Sequence, residues 1–296
     1  MRRDPLLKMK WISFDECKFF LTSVELETKL LCKITIPLFG IQPMPGQKNV
    51  NTLIKAAEIL KTITKGINQS SSIAGNLGLS RSTTHRLLKT LQVAEFVLQD
   101  PISLRYSLGP FVHYLADYSN RYHHNLILCA LPEMEKLRII TGETIVIVIR
   151  VGIRRMYLEE LPSFHPLKYA AGKGYSPPVY AGATGKVLLS QMPSAELARL
   201  IGTTRLKKMA PNTITDRATL LKEIDNIRRK GYAISYSELV EGAASVAVPI
   251  GNYSQPVAMC VLGPEARMKN RIDEILKELR LSALAIEKAL GKETPV

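Results

Sequence analysis

Residues 79–91 constrain the fold of this chain more than any other segment. One face of the predicted helix is apolar at the spacing i, i+3, i+4 and i+7, and consists of Thr84, Leu87, Leu88 and Leu91. The opposite face is polar and carries Ser82, His85, Arg86 and Lys89. Ser80 can cap the amino terminus of this helix. The pattern predicts a helix with one buried side and one cationic, hydroxyl-rich side.

The flanking segments complete a recognisable arrangement. A helical pattern over 51–65 stops at Gly66, and a shorter one around 70–77 stops at Gly78. Downstream, 96–98 and 104–108 read as two strands joined by a turn at 100–101, with Leu104, Tyr106 and Leu108 on the buried face. Three helices with a short glycine-containing connector, followed by a hairpin, predict a winged helix-turn-helix domain over residues 47–109.

The charge of this region favours a nucleic acid as its partner. Residues 48–109 contain eight basic and three acidic side chains, and every charge on the third helix is positive. Arg and Lys neutralise phosphates, while short polar side chains reach base edges. A solvated surface helix also has a polar face, but the helix-turn-helix order and the wing favour DNA. The predicted DNA-binding residues are Arg81, Ser82, Thr83, His85, Arg86, Lys89 and Arg105.

Composition restricts the remaining function classes. The net charge of +14 also favours polyanionic partners. The four cysteines (Cys17, Cys32, Cys129, Cys260) lie far apart without a C-x-x-C pair, so we expect no zinc site, no disulfide framework and a reducing cytoplasm. The chain has no uncharged apolar run of about 18 residues, the minimum for a spanning helix. Phosphate-loop, nucleophile-elbow and metalloprotease motifs are absent, so neither an enzyme, a cofactor nor a metal is predicted.

The rest of the chain divides into further segments. Residues 1–46 end in a Pro/Gly stretch at 43–46 and are either a loosely attached extension or the product of a start codon assigned too early. A linker helix is predicted over 110–125. Alternating strands and helices over 126–291 predict an α/β domain with an antiparallel sheet, followed by a tail, 292–296. The predicted fold class is α+β.

Several segments, taken in order, resemble the IclR family of transcriptional regulators. The resemblance runs from Val50 to Gly291, and the order and spacing of its pieces make it specific. The matching pieces are GLSRSTTHRLLKTL (78–91), YSLG (106–109), TGET (141–144), ATGKVLLS (183–190), NTITD (212–216), IRRKGYAISYSELVEGAASVAVPI (227–250), and LGP (262–264) followed by Arg267.

The resemblance implies a homodimer, or a dimer of dimers, on a palindromic operator in double-stranded DNA. It also implies a GAF/PAS-like effector domain that binds a small, often carboxylated or aromatic, metabolite. The implied effector-binding residues are Ala183, Thr184, Ser235, Ser245 and Cys260, with Leu262 at a further sheet position. Family members that bind small oxo-acids have Asp, Cys and two Ser at the sheet positions. Here these positions hold Ser, Ser, Cys and Leu, which makes the pocket more apolar and leaves the effector open.

Alternatives remain at two levels. The sheet positions can be ordinary core residues, and the start of the helix at 183 can be a carboxylate site through Lys186 or a tight contact at Gly185 beside a solvated lysine. At the level of function, the rivals are a metabolite-binding protein or enzyme with a vestigial basic module, and a nonspecific architectural nucleic-acid binder.

Overall fold

The structure is a computed structural model that describes residues 50–291. The predicted extension over 1–46 and the tail over 292–296 lie outside the described residues. Within the described part, no helix combines the length and the apolar character needed to cross a bilayer.

The amino-terminal part consists of three helices and a hairpin, as predicted. The helices are α1 (Asn51–Thr64), α2 (Ser70–Leu77) and α3 (Arg81–Val93), and the hairpin pairs β1 (Val97–Gln99) antiparallel with β2 (Tyr106–Leu108). Their apolar faces meet in one small core made of Ile59, Ile63, Ile73, Leu87, Leu88, Leu91, Val97 and Tyr106.

The hairpin differs from the prediction at its second strand. Leu104 was expected on the buried face, but its side chain is 61% exposed. Its φ of +55° places it in the turn, so the strand begins only at Tyr106. The alternation was correct for Tyr106, which is buried, and was extended two residues too far.

Two consecutive helices follow the hairpin. The helix predicted over 110–125 is α4 (Pro110–Tyr122), and a second helix, α5 (His124–Thr141), begins after a one-residue break. At the break, Nδ1 of buried His123 lies 2.8 Å from the hydroxyl oxygen of Tyr253. Burial lowers the pKa of His123, because an apolar surrounding disfavours the imidazolium.

A five-stranded antiparallel sheet organises the carboxy-terminal part, as predicted. The strands are β3 (Thr144–Val151), β4 (Arg154–Leu161), β5 (Ala233–Tyr236), β6 (Ala243–Ile250) and β7 (Val257–Pro264). They lie in the order β4-β3-β7-β6-β5. β3 is almost continuously buried, which explains its run of β-branched residues.

Helices cover both faces of this sheet. On one face, α5 and α10 (Ile272–Leu290) pack against alternate residues of β3, β6 and β7 to form the main core. On the other face, α6 (Ala183–Ser190) packs against the sheet and α8 (Arg217–Lys230) packs against α6. The sequence did not predict α7 (Ser194–Thr203) or the short α9 (Glu265–Met268) with its 3-10 turn (Lys269–Arg271).

Candidate functional sites

Helix α3 separates the two faces that its sequence predicts. Thr84, Leu87, Leu88 and Leu91 are buried, while Arg81, Ser82, His85, Arg86 and Lys89 are exposed and Thr83 is half-buried. Within residues 50–291, Arg81, Arg86 and Lys89 form no ion pair with any carboxylate, although Nζ of Lys89 donates to Gln92 at 3.3 Å. The cationic face is therefore available to an external polyanion.

The connector between α2 and α3 fixes where α3 begins. Gly78 adopts a left-handed conformation (φ +62°), which ends α2 and which few side chains tolerate. Ser80 then caps α3 by accepting from the backbone N–H of Thr83 at 3.2 Å, and its hydroxyl also donates to Oγ1 of Thr83 at 2.8 Å. The Thr83 hydroxyl, predicted to reach DNA, thus already takes part in the cap.

The wing carries the last predicted DNA-binding residue at its tip. Asp100 accepts from the backbone N–H groups of Ile102 and Ser103 and from the Ser103 hydroxyl, which closes the turn. These hydrogen bonds lower the pKa of Asp100. The side chain of Arg105, which follows this turn and immediately precedes β2, is exposed.

In the second part of the molecule, the predicted effector residues converge where α6 begins against the sheet. The backbone N–H of Ala183 donates to Oγ of Ser235 at 3.1 Å, and this oxygen lies 2.8 Å from Oγ of Ser245. Cys260 is diagonal to Ser245 across the β6–β7 register, on the same face of the sheet. Thr184 is buried in the first turn of α6. The geometry thus brings together residues that lie far apart in sequence.

Burial keeps the thiol in this cluster protonated. It raises the pKa of Cys260 to about 12, so the residue is not a nucleophile at neutral pH. Within the described residues, no group of three or more His, Cys, Asp or Glu side chains could hold a metal ion. The cluster offers hydroxyls, a neutral thiol and backbone groups, which suit binding.

The structure places Lys186 neither in solvent nor free to bind an external carboxylate, the two alternatives drawn from the sequence. It is 1% exposed, which contradicts a solvated side chain, and its Nζ lies 2.6 Å from Oε1 of Glu238. Glu238 of this chain therefore occupies the position that an external carboxylate would take. The close contact at Gly185 is real, because a Cβ there would overlap the carbonyl oxygen of Val179 and Nη1 of Arg155.

Arg155, like Glu238, is a residue of the site that the sequence did not single out. It is 1% exposed, and Nη1 donates to the carbonyl oxygens of Pro178 (2.9 Å) and Ala181. Strand alternation places Arg155 and Tyr157 on one face of β4, opposite Met156 and Leu158. The only sequence signal was this alternation, which does not tell which face looks towards α6.

Comparison with known proteins shows similarity over both parts. A family model described as the bacterial transcriptional regulator IclR C-terminal domain matches residues 120–288, and one described as the IclR helix-turn-helix domain matches residues 52–101. The HTH-type transcriptional repressor AllR of Salmonella typhimurium is 31% identical over 258 residues, covering 85% of this chain and 94% of that protein. AllR of Escherichia coli K12 is 32% identical over 253 residues, covering 83% and 92%.

Solved structures share the fold. The IclR protein of Thermotoga maritima has a TM-score of 0.66 at 29% identity, over 82% of this chain and all of that one (100%). An IclR homologue from Microbacterium hydrocarbonoxydans, complexed with 4-hydroxybenzoate, has the same TM-score of 0.66 at 24% identity, over 82% of this chain and 100% of the other.

Proposed function

Because the chain belongs to the IclR family of bacterial transcriptional regulators, we propose that it binds duplex DNA through α3 and the wing under the control of a small molecule. One observation carries the DNA-binding half of the proposal. The apolar stripe of α3 is buried, while Arg81, His85, Arg86 and Lys89 stand exposed without an internal carboxylate partner within the described part of the chain. We assign the DNA contacts to Arg81, Ser82, Thr83, His85, Arg86, Lys89 and Arg105.

The effector half of the proposal rests on the cluster at the start of α6. Ala183, Thr184, Ser235, Ser245 and Cys260 are assigned to ligand binding, since the two serine hydroxyls and the neutral thiol lie together at the start of α6. A small carboxylate or aromatic acid is the proposed ligand class. The Microbacterium protein, which shares the fold, holds 4-hydroxybenzoate, so this compound is one probe to use.

We propose that the protein acts as a homodimer or a dimer of dimers in the cytoplasm and binds a palindromic operator. Successive half-sites on one face of a duplex place recognition helices about 34 Å apart, so a change of that spacing changes affinity. The ligand changes the equilibrium between two arrangements of the subunits. The free energy of this change cannot exceed the difference between the ligand's binding free energies for the two arrangements. The AllR relatives are named as transcriptional repressors, which supports repression as the direction of control.

Salt-dependent DNA binding tests the assignment of α3. Duplex upstream of the gene itself is titrated with wild type, Arg86→Ala and Lys89→Ala at several salt concentrations. Each variant is expected to weaken binding to all sequences and to reduce the salt slope by about one ion, because one phosphate contact is lost. Lys277→Ala, which removes an exposed charge on α10, is the matched control and should leave the slope unchanged.

Unchanged slopes for Arg86→Ala and Lys89→Ala would place α3 away from the duplex and overturn the assignment. Equal affinity for upstream DNA and random duplex would instead identify a nonspecific architectural protein. Turnover of a metabolite without any DNA affinity would support the enzyme alternative.

A further inference from the structure

The guanidinium of Arg155 is a buried positive charge with no counter-ion among the residues that the structure describes. Among residues 50–291 it forms no ion pair, and its two hydrogen bonds go to the neutral carbonyl oxygens of Pro178 and Ala181. Its Nε atom is buried without a hydrogen-bond partner. Arginine cannot escape the cost of burial by losing its proton, so an unpaired guanidinium in this position calls for an anion.

The groups around Arg155 do not supply that anion. Tyr157, Tyr175 and Cys260 are ionisable groups that sense the charge of Arg155, and burial raises the pKa of all three, so they stay protonated at neutral pH. The buried carboxylate of Glu238, which contacts Gly182 as Arg155 does, is already paired with Nζ of Lys186 and accepts from the backbone N–H of Gly182. Within the described part of the chain, the positive charge of Arg155 is therefore not paired with a carboxylate.

The same guanidinium lies beside the hydroxyl cluster formed by Ser235 and Ser245. A Cβ placed on Gly182 would be 3.4 Å from Nη2 of Arg155 and 3.9 Å from Oγ of Ser235, so these two atoms flank the residue that precedes α6. Nη1 approaches the first turn of α6 so closely that Gly185 has no room for a side chain. Arg155 thus faces the amino terminus of α6 and the serine pair together.

We propose that Arg155 is the residue that selects an anionic ligand, binding the carboxylate of a small organic acid at the start of α6. This inference rests on the effector half of the proposed function and names the residue that recognises the acid group of the ligand. The unused edge of the guanidinium pairs with the carboxylate oxygens, a geometry for which arginine is suited. The hydroxyls of Ser235 and Ser245 accept or donate to the rest of the polar head.

This assignment explains how the site can hold an acid although Lys186 is not available to it. Lys186 of α6 is paired with Glu238, so we expect Arg155 of β4 to supply the positive charge for the ligand instead. The compound bound should carry at least one carboxylate, and its uncharged amide should bind far more weakly.

The test titrates purified full-length protein, without DNA, with matched acid and amide pairs: acetate with acetamide, and 4-hydroxybenzoate with 4-hydroxybenzamide. Binding is followed by the rise in melting temperature and by calorimetry, at constant ionic strength in chloride. Wild type is expected to bind an acid of the panel about 10- to 100-fold more tightly than its amide, as a charge-assisted hydrogen bond predicts.

Arg155→Gln keeps an amide donor for the carbonyl oxygens and removes the charge. It should lose the preference for acid over amide, whereas Arg154→Gln should retain it. Arg154 is the matched control because it is the preceding residue and donates to Ser176 instead. Should Arg155→Gln fail to fold, the wild type still tests the inference, because equal affinity for acid and amide would overturn it.

A wild type that binds no acid of the panel better than its amide, or a preference that survives in Arg155→Gln, would overturn the inference. These titrations contain no DNA, so they are independent of the DNA-binding half of the proposal. If the protein binds acids selectively but does not recognise duplex DNA, the inference about Arg155 is supported and the proposed DNA-binding function is contradicted. Operator binding without acid selectivity would do the reverse.

Discussion

The Nζ atom of Lys186 lies 2.6 Å from Oε1 of Glu238, with 2% and 8% of the two side chains exposed. The other carboxylate oxygen, Oε2, accepts from the backbone N–H of Gly182, and Glu223 approaches Nζ at 3.5 Å. The pair therefore fastens the start of α6 to the segment that follows β5.

Removing one partner of this pair should be costly. Lys186→Met leaves the carboxylate of Glu238 buried without its cation, and we expect a loss of about 3–5 kcal/mol in unfolding free energy. Urea unfolding monitored by circular dichroism measures the loss. Lys222→Met, on the exposed face of α8, is the control and should change stability by less than about 0.5 kcal/mol. Similar stabilities for the two variants would show that the pair contributes nothing.

Gly185 should tolerate no side chain. A Cβ at this position overlaps the carbonyl oxygen of Val179 and the guanidinium of Arg155, so Gly185→Ala should destabilise the protein by about 1–3 kcal/mol. Gly202→Ala, in α7, meets open space and should instead stabilise by up to about 1 kcal/mol. Opposite signs in a melting experiment are the expected result, and two stabilised variants would contradict the contact.

Acid should weaken the junction between α4 and α5. Because burial holds the pKa of His123 below 6.5, the unfolded chain takes up this proton first as the pH falls. The contribution of neutral His123 to stability is full above about pH 6.5 and declines as the pH drops through the lowered pKa. His123→Gln should flatten the dependence of unfolding free energy on pH between 7.5 and 5. The control is Asn125→Gln, an exposed and non-titrating position in the first turn of α5, which should leave the dependence unchanged.

Ser245 offers a test of the ligand site itself. Its side chain is half-buried beside Ser235, so Ser245→Trp should fill the space next to the hydroxyl pair and abolish stabilisation by 4-hydroxybenzoate or acetate. Operator affinity should persist, because α3 belongs to a separate core. Ser254→Trp adds the same bulk in an exposed loop and should respond as wild type does. A normal response in Ser245→Trp would move the site elsewhere.

Local periodicity predicted most of the fold and failed where the backbone leaves regular geometry. The apolar stripe of α3 and the β-branched run of β3 were readable, because helical and strand spacing project directly onto burial. Leu104 continued the alternation in sequence, yet its positive φ places it in the turn. No spacing rule detects such a residue.

The polar part of the ligand site was less predictable than the core. Ser235, Ser245 and Cys260 were predicted from a family resemblance, whereas Arg155 and Glu238, the partner of Lys186, were not predicted. Lys186 and Glu238 are 52 positions apart, and only the folded chain brings them within contact. A buried arginine looks like any surface arginine in a sequence, because its burial depends on which face of β4 turns towards α6.

The division of labour between α6 and β4 has a consequence for how such sensors diversify. Glu238 pairs with Lys186, so α6 can stay the same while a substitution in β4 changes which ligands the proposed site prefers. If Arg155 selects the acid as proposed, replacing this one residue would give a pocket for uncharged compounds, and the Lys186–Glu238 pair that holds α6 would stay unchanged.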